Sequence, residues 1–176
     1  DVPPTPLSEL SGTQLEIAKL AEGPMKRLIV HREPLPLPEF SYADDKAATR
    51  SLNEAKGKIT VLNIWATWCA PCLSEMPSIN RLKARLGGPT FEVVALSVDR
   101  GGIERPRKYL RDIQANALEI FNNADPKLPG LLKIDAYPTT IIIGRDGREI
   151  GRIAGAVEWD SPEVTKLLEA ALKPAS

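Results

Sequence analysis

Cys69 and Cys72 are the only thiols in the 176-residue chain, and they lie three residues apart in Trp65-Ala-Thr-Trp-Cys-Ala-Pro-Cys72. The run before them, Ile59–Trp65, is apolar and of strand length, and Pro71–Leu86 has helical spacing. The pair therefore falls where a strand hands over to a helix. At a helix N-terminus unpaired backbone N–H groups and the positive end of the dipole favour thiolate over thiol at Cys69. The thiolate is the nucleophile of disulfide exchange. A spacing of three puts the second sulfur about one turn on, within reach of a disulfide. Pro71 costs nothing in the first turn, where its missing N–H is not needed. Metal sites use the same spacing, but a zinc centre normally takes four N or S ligands. This chain has no second cysteine pair and one histidine, His31, so the pair reads as redox-active, with no metal and no cofactor beyond its own disulfide.

The rest of the chain must position that pair. Hydrophobic residues make up 43% and charged residues 26%, ordinary values for a globular domain. Lys plus Arg and Asp plus Glu are 23 each, which argues against a nucleic-acid partner, since phosphates need a basic surface. The longest uncharged stretch, Ile59–Ser74, is 16 residues and too short to span a bilayer. The chain begins at Asp1 without a Met, which leaves room for a signal peptide or membrane anchor ahead of it. Seven of the 16 prolines lie in the first 38 residues. Asp1–Pro6 reads as a tether, Gly12–Ala21 as a short helix capped by Ser8 or Ser11, Leu28–Val30 as a short strand and Glu33–Pro38 as an extended lead-in.

From about Lys58 an α/β rhythm follows. Strands are expected at Ile59–Trp65, Phe91–Val98, Leu118–Phe121, Thr139–Ile143 and Arg148–Ala154. Helices are expected at Pro71–Leu86, about Glu104–Ala115, within Asp125–Ile134, and from Pro162 to Leu172 after a Ser161 or Asp160 cap. Gly144-Arg-Asp-Gly147 makes a hairpin turn. A parallel β-α-β unit plus a later hairpin gives a mixed central sheet flanked by helices. Trp65 reads as core, Trp68 as a contact surface beside the nucleophile, and His31 as a surface residue.

Trp68-Cys69-Ala70-Pro71-Cys72, Pro77 five residues further on, and Tyr137-Pro138-Thr139 ahead of a strand resemble the thioredoxin superfamily. Leu62-Asn-Ile-Trp-Ala-Thr-Trp-Cys69, Cys72-X-X-Glu75-X-Pro77, Pro38-Glu39-Phe40, Gly57-Lys58 and Gly155-Ala-Val-Glu-Trp159 resemble its TlpA-like branch. The resemblance implies an α/β thioredoxin fold with an N-terminal extension over 1–37, a thioredoxin-like domain over 38–176 and an insertion over about 101–135. It implies Cys69 as nucleophile, Cys72 as resolving thiol, a cis bond at Pro138, and a substrate surface of Trp68, Ala70, Pro71, Tyr137 and Pro138. Thioredoxin carries a buried Asp where this chain has Asn63, which cannot accept a proton from Cys72. In the TlpA-like branch Glu75 takes that place; the alternative is a solvated Glu paired with a basic neighbour.

The implied activity is that of a periplasmic, membrane-anchored, monomeric protein-disulfide reductase fed by a membrane electron donor. The implied partners are a Sco-like copper chaperone and the copper-A subunit of cytochrome oxidase. With Ala and Pro between the cysteines and no histidine to stabilise the thiolate, the pair is expected to be reducing. A general disulfide oxidase or isomerase, and a cytochrome c maturation thioredoxin, are the alternatives. Lys133-Ile-Asp-Ala-Tyr-Pro138 lacks the glycine pattern of the latter. A copper-binding carrier would need longer cysteine spacing and a distant histidine.

Overall fold

The computed structural model describes residues 3–173; Asp1 and Val2 of the expected tether, and residues 174–176 at the other end, lie outside them. Its centre is β4 (Ile59–Trp65), whose seven residues are all buried. The strand hydrogen-bonds on both sides and packs on both faces, so only apolar or internally paired residues fit. It lies parallel to β5 (Phe91–Ser97) and antiparallel to β7 (Thr139–Ile143). β7 turns at Gly144–Gly147 into β8 (Glu149–Ala154), against which β1 (Ile29–Leu35) forms one edge. On the other side β6 (Phe121–Asn122), β2 (Ser41–Asp44) and β3 (Thr49–Ser51) complete an eight-stranded mixed sheet of order β1-β8-β7-β4-β5-β6-β2-β3.

Alternate residues of β4 serve opposite cores. Val61 and Trp65 join Ile79 and Leu82 of α2 (Ala70–Leu86), Leu110 of α3 (Glu104–Asp112) and Leu167 of α5 (Pro162–Leu172). Leu62 and Ile64 join Leu96, Ile141, Tyr42 and Leu128 of α4 (Leu128–Leu131). Ile17 of α1 (Gly12–Leu20) is buried in the first core, so the N-terminal segment is packed onto the sheet's helical face.

The central strands and the long helices lie where periodicity places them; the differences are at the edges. β1 runs on through Glu33-Pro34-Leu35, with a register shift between Val30 and Leu35, instead of stopping at Val30. An edge strand tolerates proline because one side makes no ladder bonds. β2 and β3 were not expected. They are short and polar, tied by Arg50 to Asp44, Glu54 and Glu119 and by Asp44 accepting from the backbone of Lys46 and Ala48. The Leu118–Phe121 strand shrinks to Phe121–Asn122. His31 is half-buried rather than free at the surface: its Nε2 lies 2.5 Å from Glu149 Oε2, and Arg152 grips the same carboxylate. Ser161, not Asp160, caps α5, its Oγ accepting from Val164 N at 3.4 Å.

β1 approaches β8 over Gly151, where a methyl group would lie 2.4 Å from the Ile29 carbonyl oxygen. Backbone cannot yield as a flexible side chain would, so Gly151→Ala is expected to push β1 off the sheet. Overpacking of this kind costs about 1–3 kcal/mol. Urea unfolding should show that loss, and hydrogen exchange should show the amides paired across β1 and β8 opening first.

Candidate active site

Cys69 is the N-cap of α2, and its Sγ accepts from Cys72 N at 3.3 Å. Cys69 and Cys72 are joined as a disulfide with their Cα atoms 5.3 Å apart. Cys69 is 6% exposed and Cys72 is fully buried, which separates an attackable sulfur from a hidden one. The loop carrying Cys69 is pinned from the end of β5. The Asp99 carboxylate accepts from Thr67 N at 3.0 Å, from Thr67 Oγ1 and from Ser97 Oγ. Asn122 Nδ2 donates to the Ser97 and Asp99 carbonyls beneath it.

Pro77 lies inside α2 and has no N–H to offer the carbonyl of Leu73. That acceptor is filled from outside the helix: Tyr109 Oη of α3 donates to Leu73 O at 2.7 Å. The stretch of α2 ahead of Pro77 is thereby tied to α3.

Tyr137–Pro138 is a cis peptide, as the resemblance implies, and Gly155 N donates to Pro138 O at 2.8 Å. Tyr137 brings its ring against Trp68, edge to face at 5.1 Å. Trp68 is 62% exposed and Trp65 fully buried, as their readings required. Ala70 and Pro71 are exposed beside Cys69, while Pro138 is buried. An open groove of about 570 Å³ runs from Trp68 and Tyr137 between Arg100, Arg105 and Pro126.

Glu75 is not the surface residue of the alternative reading. It is 1% exposed and makes no ion pair among the described residues. Its Oε2 accepts from Val157 N at 2.9 Å and from Trp159 Nε1 at 3.0 Å, and its Oε1 accepts from Asn63 Nδ2 at 2.7 Å. Burial pushes its carboxyl up to about 7, against the pull of those three donors, and Glu158 nearby adds to the rise. Asn63 sits in β4 directly opposite Thr140 of β7, and its Nδ2 also donates to Thr140 Oγ1 at 2.9 Å. The Val157–Trp159 segment is fixed in turn, Trp159 N donating to Ser78 Oγ at 3.1 Å. Thr67, Asp99, Tyr109, Val157 and Trp159 had no role in the sequence reading; only the Gly155–Trp159 motif hinted at the last two.

Comparison with known proteins agrees with this geometry. Residues 35–148 match the AhpC/TSA family. The chain belongs to that family. It is 29% identical over 118 residues to the thiol-disulfide oxidoreductase ResA of Bacillus cereus, covering 67% of each chain. Among solved structures it is similar to a thiol:disulfide interchange protein of the thioredoxin family from Chlorobium tepidum, at 25% identity and a TM-score of 0.66. That match covers 80% of this chain and 98% of the other. It is also similar to a DsbF homologue from Corynebacterium diphtheriae, at 26% identity and a TM-score of 0.64, over 82% and 91% of the two chains. The fold is thioredoxin-like, and the protein is a thiol-disulfide oxidoreductase whose working group is the Cys69–Cys72 disulfide. Among the described residues no helix is long and apolar enough to cross a membrane.

A carboxyl raised from 4.5 to about 7 binds a proton in the native state that the unfolded chain has already released. The native state is therefore favoured at low pH, and this contribution is lost as the pH rises through about 7. Shifts of this size are worth on the order of 3 kcal/mol. Denaturant unfolding of the oxidised protein at pH 5 and pH 8, compared with Glu75→Gln, is expected to show that much more loss in the parent than in the variant.

Proposed function

We propose that the protein works outside the cytoplasm as a reductant of protein disulfides, in the manner of the TlpA-like thioredoxins, and serves copper-site assembly in cytochrome oxidase. The observation that carries the direction is the plainness of the Cys69 environment. Its hydrogen bond comes from the first turn of α2, and among the described residues no histidine or other cation bonds to it. A thiolate held only by a helix N-terminus is less stabilised than in the strong oxidants, whose reduced forms are favoured.

In this reading Cys69 thiolate attacks a partner disulfide. Cys72 loses its proton to Glu75 and attacks Cys69 Sγ, and the reduced partner leaves with the electron pair. Trp68, Ala70, Pro71, Tyr137 and Pro138 form the surface that receives an extended partner segment. Recharging then needs a membrane dithiol donor, and a signal or anchor ahead of Asp1 would keep the protein beside it, where disulfides persist. A Sco-like copper chaperone and the copper-A subunit are the proposed partners, because their cysteines must be reduced before they take the metal. The TlpA-like motifs support that choice, as does the absence of the glycine pattern of cytochrome c maturation around Pro138.

The deciding measurement is the equilibrium potential of Cys69–Cys72 in dithiothreitol and glutathione buffers, followed by tryptophan fluorescence. A value near the thioredoxin end, about −270 mV, is expected; one above about −180 mV would make the protein an oxidase or isomerase and remove the copper-site role. Cys72→Ser is expected to accumulate mixed disulfides with oxidised partner domains through Cys69, visible as a mass shift that dithiothreitol reverses.

A further inference from the structure

We propose that Asn63 is a positioning residue whose side-chain amide reverses when Glu75 takes up a proton. The inference rests on the reading of Glu75 as the acceptor of the Cys72 proton. In that step the Cys72 S–H bond breaks and a Glu75 O–H bond forms. The thiolate then displaces the partner's sulfur from Cys69, and that sulfur takes a proton from water. Glu75 must hold its proton for the duration, inside a pocket that offers it donors.

The hydrogen bonds decide where that proton can sit. Oε2 faces the Val157 backbone N–H and the Trp159 indole N–H, neither of which can become an acceptor. Oε1 has one donor, Asn63 Nδ2, so the proton belongs on Oε1. There it would meet an N–H head-on. Asn63 is the one partner able to change sign, because its amide carries a donor end and an acceptor end.

The other contacts of Asn63 fit both orientations. With Glu75 ionised, Nδ2 gives one proton to Glu75 Oε1 and one to Thr140 Oγ1, and the buried Oδ1 has no partner. After reversal, the two lone pairs of Oδ1 accept from the Glu75 O–H and from the Thr140 hydroxyl, which turns to donate. Each state satisfies the end that faces Glu75 and leaves the other end unpaired. Asn63 is fully buried in mid-sheet, so its backbone is fixed and the terminal amide is the part that turns.

The groups facing Glu75 are Asn63 from β4, Thr140 from β7 through Asn63, and Val157, Glu158 and Trp159 from the segment after β8. Cys72 lies one turn back on α2. Glu158 is the charged member, and it is exposed. An aspartate at position 63 could not serve both states, since an ionised carboxylate has no donor for the ionised Glu75.

The test is NMR of the full chain, oxidised and labelled with 13C and 15N, titrated from pH 5 to pH 9. The Glu75 carboxyl carbon reports the proton, and the Asn63 side-chain NH2 pair reports the orientation. Both are expected to move with one midpoint, the two amide protons shifting upfield on the acid side as they lose their acceptors. Glu75→Gln presents an NH2 in place of the acid O–H and is expected to hold the acid-side Asn63 pattern at every pH. Asn63→Leu removes a bond from both forms of Glu75 and is expected to move its midpoint by less than about one pH unit, whereas loss of a fixed donor to a carboxylate would raise it by about one unit or more. Asn63 amide signals that stay constant while Glu75 titrates would overturn the reversal and leave Glu75 as the acceptor. A Glu75 carbon that does not titrate in this range would overturn both.

Discussion

A single carboxylate taken out of water organises the redox centre. Glu75 stands one turn beyond Cys72 on α2, and burying it obliges the surroundings to supply donors. Three donors come from two separate stretches of chain: Asn63 from the middle strand of the sheet, and Val157 and the Trp159 indole from the segment that follows β8. Meeting the needs of one side chain thus docks the active-site helix on the sheet and draws the segment after β8 in beside the disulfide. Among the described residues no cation shares the work, so the group keeps a proton affinity close to neutral instead of being locked as an ion.

The two sulfurs inherit their difference from the same arrangement. Cys69 stays at the rim because the loop before it is tied down by Asp99, and Cys72 goes inside because the helix face it occupies is the face that carries Glu75. Around the rim Trp68 is exposed and braced by Tyr137. The inner sulfur is enclosed while the rim beside Cys69 is open.

The parts of the fold that were legible in the sequence are those whose physics is local. Ile59–Trp65 and Thr139–Ile143 are unbroken apolar or β-branched runs, and Gly144–Gly147 and Ser161-Pro162 carry their own turn and cap chemistry. Ser41–Asp44 and Thr49–Ser51 were missed because nothing apolar marks them; Arg50 and its acidic partners, brought together by the fold, hold them in place. His31 looked like a surface residue because Glu149, 118 positions away, is invisible from its neighbourhood. The cysteine pair could be read from its spacing, its place between a strand and a helix, and the lack of further ligand residues. The burial of Glu75 could not, since its three donors lie 12 to 84 residues away along the chain. A glutamate on a helix looks the same in sequence whether it faces solvent or a pocket.

The bare carbonyl that Pro77 leaves at Leu73 is plugged by the hydroxyl of Tyr109, from α3. Pro77 and Tyr109 are therefore halves of one joint. Losing the Tyr109 hydroxyl would strip the plug and leave an unpaired oxygen on the helix that carries Cys72. Chimaeras between relatives should carry Pro77 and α3 across together.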